Sequence, residues 1–164
     1  NVRRLIIDEQ PINPKYYEKM SELLDALIEE RRRAALDYQK YLQKIVELTK
    51  KVKNPTEGAS YPNSLNTSAK RAIYDNIGKN ETLALAIDSA VIASKQDDWR
   101  GNKFKVKKVS LAIKAAVESY NLTRTGESSG AATEAPETYG ANKGESMDDL
   151  VERILELVKN QNDY

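Results

Sequence analysis

Apolar residues recur at intervals of three and four along most of this chain, which is the period of an amphipathic α-helix. The clearest helix start is Asn13-Pro14, because asparagine caps free N–H groups and proline is tolerated at the first helical position. The apolar residues that follow predict a helix from Pro14 to Arg32, and a second periodic stretch runs from Asp37 to Lys53. No helix-breaking residue separates the two stretches. The sequence therefore leaves open whether they form one kinked helix or two antiparallel helices.

Glycine, asparagine and serine mark the helix boundaries in the rest of the chain. Gly78 is placed to end one helix as its left-handed residue, and Asn80 and Ser146 are placed to cap the starts of two others. The prolines between Asn54 and Asn63 indicate a loop. The helices predicted from these patterns are Thr67–Ile77, Glu81–Ser94, Lys103–Tyr120 and a last helix from Met147.

The segment from Thr123 to Ser146 differs from the rest in composition. It holds four of the seven glycines and contains no Val, Ile, Leu, Met or Phe. Such a segment has no large aliphatic side chain whose burial could offset the entropy cost of ordering, so we predict a flexible linker. We expect an all-α fold, a bundle of five or six helices with this flexible linker before the last helix. The predicted domains are a helical bundle over 1–122, the linker over 123–146, and a C-terminal helix over 147–164 that packs on the same bundle.

The residue types needed for catalysis are sparse. The chain contains no histidine and no cysteine, which removes the commonest general base and the commonest metal ligands. The run Leu5-Ile6-Ile7-Asp8-Glu9 resembles a Walker B strand, but no GxxxxGK[ST] phosphate loop accompanies it, so a structural or capping role is favoured for both acids. No Asp or Glu is followed two positions later by lysine, a spacing typical of restriction-type nucleases. We therefore predict no catalytic, cofactor-binding or metal-binding residue in this chain.

One stretch is strongly basic. Between Arg100 and Lys114 there are six positive charges and no acid. Lysines in the first turns of a helix lie where the helix dipole disfavours cations, and such local conflicts are common at functional positions. Lys103, Lys107 and Lys114 fall on one stripe of the predicted helix. Two interpretations stay open: DNA contact through Arg100 and these three lysines, or a solvated basic face.

The length and composition also bear on where the protein works. No run of about 18 apolar residues is present, so we expect no membrane span. The lack of cysteine fits a reducing compartment, and we expect a cytoplasmic protein. The chain begins at Asn1 without an initiator methionine, from which we expect a piece of a longer protein.

Several stretches of the sequence, taken in their order along the chain, together resemble one known protein family. Two of them are Asn13-Pro14-Lys15-Tyr16-Tyr17 and Asp97-Asp98-Trp99-Arg100-Gly101-Asn102. The family is the R subunit of type I restriction enzymes, whose C-terminal region this chain resembles over most of its length. The segment from Thr123 to Ser146 looks like a lineage-specific insertion. The matching stretches are Asp8–Ser21, Leu23–Arg32, Leu36–Leu42, Ile45–Leu48, Asp97–Asn102 and Ile154–Tyr164.

The resemblance implies a large bacterial restriction-modification protein whose upstream nuclease and motor domains use ATP and magnesium to move along DNA and cut it. None of those motifs lies in this chain, so it implies no catalytic residue here. For this region it implies an assembly role, docking the motor subunit onto the methyltransferase and specificity subunits, with double-stranded DNA as a further partner. The alternative is an independent nucleic-acid-binding helical domain that needs no protein partner.

Overall fold

The computed structural model describes residues 1–33, 37–58, 60–127, 142 and 144–164, and these residues contain helices and turns but no strand. The predicted all-α fold class is confirmed. The described chain divides into two compact units, unit 1 (Asn1–Asn63) and unit 2 (Ser64–Tyr164). The helices are α1 (Val2–Glu9), α2 (Pro14–Arg32), α3 (Tyr38–Lys53), α4 (Pro55–Gly58), α5 (Ser68–Asn76), α6 (Glu81–Ser94), a 3-10 turn (Trp99–Gly101), α7 (Lys103–Glu127) and α8 (Met147–Lys159).

Unit 1 is built around the antiparallel pair α2 and α3. The Tyr16 hydroxyl donates to the Lys51 carbonyl at 2.8 Å, so the start of α2 lies beside the end of α3. Lys44 binds Glu30 at 3.0 Å, so the end of α2 lies beside the middle of α3. Of the two arrangements that the sequence left open, the structure has two separate antiparallel helices. Asn13 caps α2, as its pairing with Pro14 predicted.

The first helix occupies the stretch whose sequence had suggested a strand. Leu5 and Ile6 follow Val2 by three and four residues, so all three lie on one side of α1. Ile6 is buried there, and Val2 and Leu5 pack against the same core. Asp8 and Glu9 lie in the last turn of this helix, and Asp8 is 3.7 Å from Arg4. The Leu5-Ile6-Ile7 run is therefore not a Walker B strand.

Unit 2 is a four-helix arrangement in which α5 contacts α6, α6 contacts α7, α7 contacts α8, and α8 contacts α5. Adjacent helices run antiparallel, because hydrogen bonds join the start of one to the end of the next. Asn80, the cap of α6, binds the Tyr120 hydroxyl late in α7, and Asp163 after α8 binds the Ala69 amide at the start of α5. The interior is closed by side chains that are nearly inaccessible to solvent, among them Ile73, Ile87, Ile113 and Ile154.

The predicted helix ends in unit 2 have clear structural causes. Gly78 has φ +79°, and the Lys79 amide reaches back to the Tyr74 carbonyl at 2.9 Å, which closes α5 with a Schellman motif. Ser146 caps α8 reciprocally with Asp149. The helix α6 has the bounds that the sequence predicted, Glu81–Ser94.

The C-terminal boundary of α7 differs from the prediction. Helix α7 continues beyond Tyr120 to Glu127 and so includes the first residues of the segment predicted as linker. No proline interrupts this stretch, and the Thr123 hydroxyl donates to the Ser119 carbonyl at 2.9 Å within the helix. Residues 128–141 and 143 of the predicted linker lie outside the described residues, and the predicted domain division stays a prediction. None of the helices in the described ranges is both long and apolar enough to cross a membrane.

Candidate nucleic-acid interface

Helix α7 presents its basic residues along one flank, beside its buried side. Val109, Ile113 and Val117 are fully buried in unit 2, which fixes the rotation of the helix about its axis. Lys103 and Lys107 lie exposed on this flank, and Lys114 is half-buried. Lys103 and Lys107, the two N-terminal residues of the predicted stripe, thus lie on the surface of unit 2.

The start of α7 is closed by Asn102. Its side-chain oxygen accepts hydrogen bonds from the Phe104 amide at 2.9 Å and the Lys105 amide at 3.3 Å. Free N–H groups at a helix start can receive a phosphate. Two of those groups already have a partner, so any phosphate contact here depends on the lysine side chains.

Arg100 has a structural partner that the sequence did not reveal. Its guanidinium donates to the Lys159 carbonyl at 2.9 Å and to the Gln161 carbonyl at 2.6 Å, at the end of α8. The last carbonyls of a helix have no partner within the helix, so Arg100 acts as a C-terminal cap for α8. The same guanidinium lies 5.2 Å from the centre of the Trp99 ring. These contacts hold Arg100 against α8.

Lys114 is also engaged within unit 2. Its ammonium is 2.7 Å from a carboxylate oxygen of Asp148 in the first turn of α8. This hydrogen bond, followed by the charge of Asp148, raises the pKa of Lys114. By contrast, Lys103 and Lys107 make no hydrogen bond or ion pair with any residue that the structure describes. Of the four predicted contact residues, these two have side chains available to a phosphate.

Lys105, which lies outside this stripe, donates to the Asp97 carbonyl at 2.6 Å. It thereby fixes the turn before α7.

A cleft of about 340 Å³ lies along the same turn, and it is lined by positively charged, negatively charged and aromatic side chains. The residues that line it are Lys95, Gln96, Asp97, Asp98, Trp99, Arg100, Gly101 and Tyr164.

The described residues offer no group of three or more acidic, histidine or cysteine side chains that could hold a metal ion. The chemistry open to the basic surface is electrostatic: an ammonium group can neutralise a phosphate and release its counterions.

A different kind of surface lies on α3 of unit 1. Tyr38, Leu42 and Val46 are 56, 43 and 53% exposed, and their spacing of four residues places them in one ridge along the helix. These residues belong to the apolar periodic stretch from Asp37 to Lys53, but the buried part of α3 is formed by Leu48 and Val52. The apolar surface of α3 is therefore wider than the core of unit 1 needs.

Comparison of the chain with protein-family models, curated proteins and solved structures found no match. The resemblance to the R subunit stays a prediction that rests on the sequence stretches given above.

Proposed function

We propose that this chain is a non-catalytic helical assembly domain of a type I restriction R subunit. In this proposal it docks the DNA-translocating, ATP-dependent endonuclease subunit onto the methyltransferase and specificity subunits in the bacterial cytoplasm, with double-stranded DNA as a second partner. The parent subunit would use ATP and magnesium through domains outside this chain. No cofactor is assigned to the chain itself.

The observation that supports docking to a protein is the exposed ridge of Tyr38, Leu42 and Val46 on α3. Scattered exposed apolar residues are normal on a soluble protein, but three in a row on one helix face form a continuous apolar strip. A partner with an apolar groove can bury such a strip by the recognition mode in which a helix lies in a groove. Tyr38 strengthens the case, because aromatic residues are enriched where interfaces gain most of their binding energy.

The test is capture of the purified chain by a purified methyltransferase and specificity core, with and without DNA. We expect binding, and we expect the double variant Leu42→Ser, Val46→Ser to weaken it about tenfold or more, since an interface residue at an apolar centre contributes more than about 1 kcal/mol. Ile92→Ser on α6 is the matched control, because Ile92 is equally exposed at 55% but belongs to unit 2. Absence of binding by the parent chain, or equal binding by the double variant, would contradict the proposal.

The second candidate function is independent nucleic-acid binding. Lys103 and Lys107 favour it, because both are exposed on α7 and neither is engaged by another described residue. Binding of duplex DNA by the chain alone, weakening as salt is raised, would support this candidate over the assembly role. Binding of DNA only when the methyltransferase core is present would support the assembly role.

A further inference from the structure

The outer face of α7 carries an apolar strip that the basic stripe does not include. Phe104, Leu111 and Leu122 are 87, 57 and 72% exposed. Phe104 and Leu122 are separated by five helical turns of 3.6 residues, so they lie on the same side of the helix, about 27 Å apart along its axis. The strip lies opposite Val109, Ile113 and Val117, whose side chains are in the core.

Three further exposed residues complete this strip. Lys108, Ala115 and Glu118 fall between the apolar positions, with steps that alternate between four and three residues. This alternation is the spacing of a helix-to-helix seam. We call the six residues the α7 seam: Phe104, Lys108, Leu111, Ala115, Glu118 and Leu122.

The α7 seam is complementary to itself when a second copy lies antiparallel about the level of Ile113. Phe104 then faces Leu122 of the second copy, which pairs the two most exposed apolar side chains. Leu111 faces Ala115, so a large side chain meets a small one, as interdigitated packing requires. Lys108 faces Glu118, so the charges within the seam meet their opposites. A twofold interface has this property, because each contact occurs twice.

The parallel arrangement lacks this complementarity. In it, each residue would face its own copy, so Lys108 would face Lys108 and Glu118 would face Glu118. Like charges directly opposite each other are unfavourable, and the two helix dipoles would also point the same way. The charge pattern of the seam therefore selects the antiparallel orientation.

We infer that the α7 seam is a self-association surface through which two copies of this chain form an antiparallel, twofold-symmetric dimer. The inference does not depend on the proposed restriction function, because it uses only the seam residues. One helix pair buries less surface than a typical stable complex, so we expect weak association, with a dissociation constant on the order of tens of micromolar.

Sedimentation velocity over a concentration series of the purified chain, without DNA or any other protein, tests the inference. We expect a shift from monomer to dimer. Lys108→Glu alone and Glu118→Lys alone should each weaken association about tenfold, because each places like charges opposite each other at both symmetric contacts. The double variant Lys108→Glu, Glu118→Lys should restore the parent's association. Lys107→Glu, one position away from the seam, is the control and should change association less than the single seam variants.

A monomer at every concentration would overturn the inference, as would a double variant that stays as weak as either single variant. The substituted side chains are all exposed, so we expect the variants to keep the parent's melting temperature. An unchanged melting temperature would show that the fold is intact.

The orientation has a separate test, which the lack of natural cysteine makes simple. Phe104→Cys and Leu122→Cys are prepared as separate chains and oxidised alone and mixed. The antiparallel seam brings position 104 of one chain to position 122 of the other, so disulfide-linked dimers should form mainly in the mixture. Equally fast linking of either variant with itself would indicate parallel or random encounter and would overturn the proposed geometry.

Discussion

The Tyr164 hydroxyl donates a hydrogen bond of 2.5 Å to Oδ1 of Asp88, and both side chains are buried. The bond joins the last residue of the chain to the middle of α6, across the interior of unit 2. Lys70 on α5 lies 4.0 Å from the other oxygen of the same carboxylate. Asp88 is thus held by groups from two other parts of the unit.

Tyr164→Phe should lower the free energy of unfolding of unit 2 by about 1 to 3 kcal/mol, because it leaves a buried carboxylate without its closest donor. Denaturant unfolding at neutral pH measures the change. Tyr38→Phe is the control: Tyr38 is exposed, so its hydroxyl should matter by less than about 0.5 kcal/mol. Equal stability of the Tyr164→Phe variant and the parent would show that the bond contributes nothing.

Tyr17 should make unit 1 sensitive to alkali. Burial, then the nearby charge of Glu9, raises the pKa of Tyr17 from 10.0 to about 12. The neutral phenol is favoured in the folded state, so its stabilising contribution is complete below pH 10 and is lost as the pH rises toward and through about 12. Thermal melting measured from about pH 9 to about pH 12 should show this loss. In Tyr17→Phe the decline with pH should be shallower, and an identical slope in both proteins would refute this assignment.

Glu145 should contribute a stability that acid removes. Arg153 donates to both of its carboxylate oxygens, at 2.7 and 2.9 Å, and this hydrogen bonding lowers the pKa of Glu145 below its usual 4.5. The contribution is present above pH 4.5 and is lost as the pH falls through the lowered pKa. Glu145→Gln should therefore destabilise unit 2 at neutral pH by about 1 to 2 kcal/mol, and the difference from the parent should shrink in acid.

Glu152→Gln on α8 is the control for this comparison, because Glu152 is exposed. It should unfold at nearly the parent's denaturant midpoint at every pH. A Glu145→Gln effect that stays the same from neutral pH down to about pH 2 would contradict the role assigned to the Glu145 charge.

The two lysines without a described partner on α7 set the expected salt dependence of DNA binding. If the basic stripe meets phosphates, the double variant Lys103→Gln, Lys107→Gln should reduce the slope of log affinity against log salt by about 1.8, or about 0.9 for each contact. Adding Lys114→Gln should change the slope less, because Asp148 holds that ammonium. Fluorescence anisotropy with duplex DNA over a salt series measures the slope.

Lys19→Gln, an exposed lysine of unit 1, controls for the loss of positive charge in general. If the double variant keeps the parent's affinity and slope, both alone and with the methyltransferase core, the solvated-face interpretation of the basic stripe is correct.

The parts of the structure that the sequence predicted are those with local causes. Asn80 and Gly78 lie within a few residues of the helix ends they define, so α6 and the end of α5 followed from short stretches of sequence. The partners of Arg100 and Lys114 lie 61 and 34 residues away. No local sequence pattern predicts such a contact. The sequence therefore suggested DNA contact for Arg100, whereas in the structure Arg100 caps α8. The exposed position of Phe104 did not follow from the sequence, because the apolar period of α7 indicates only the side that is buried.

The bond between Asp163 and the Ala69 amide spans 94 residues of sequence. At a ribosomal rate of about 5 to 20 residues per second, on the order of ten seconds pass between the synthesis of α5 and that of Asp163, whose side chain binds the first-turn amide of Ala69. During that interval the faces of α5 and α7 that α8 later covers are not yet covered by it. Unit 2 therefore completes its fold only after α8 has been made, and the newly made chain depends on α5, α6 and α7 holding together before α8 arrives.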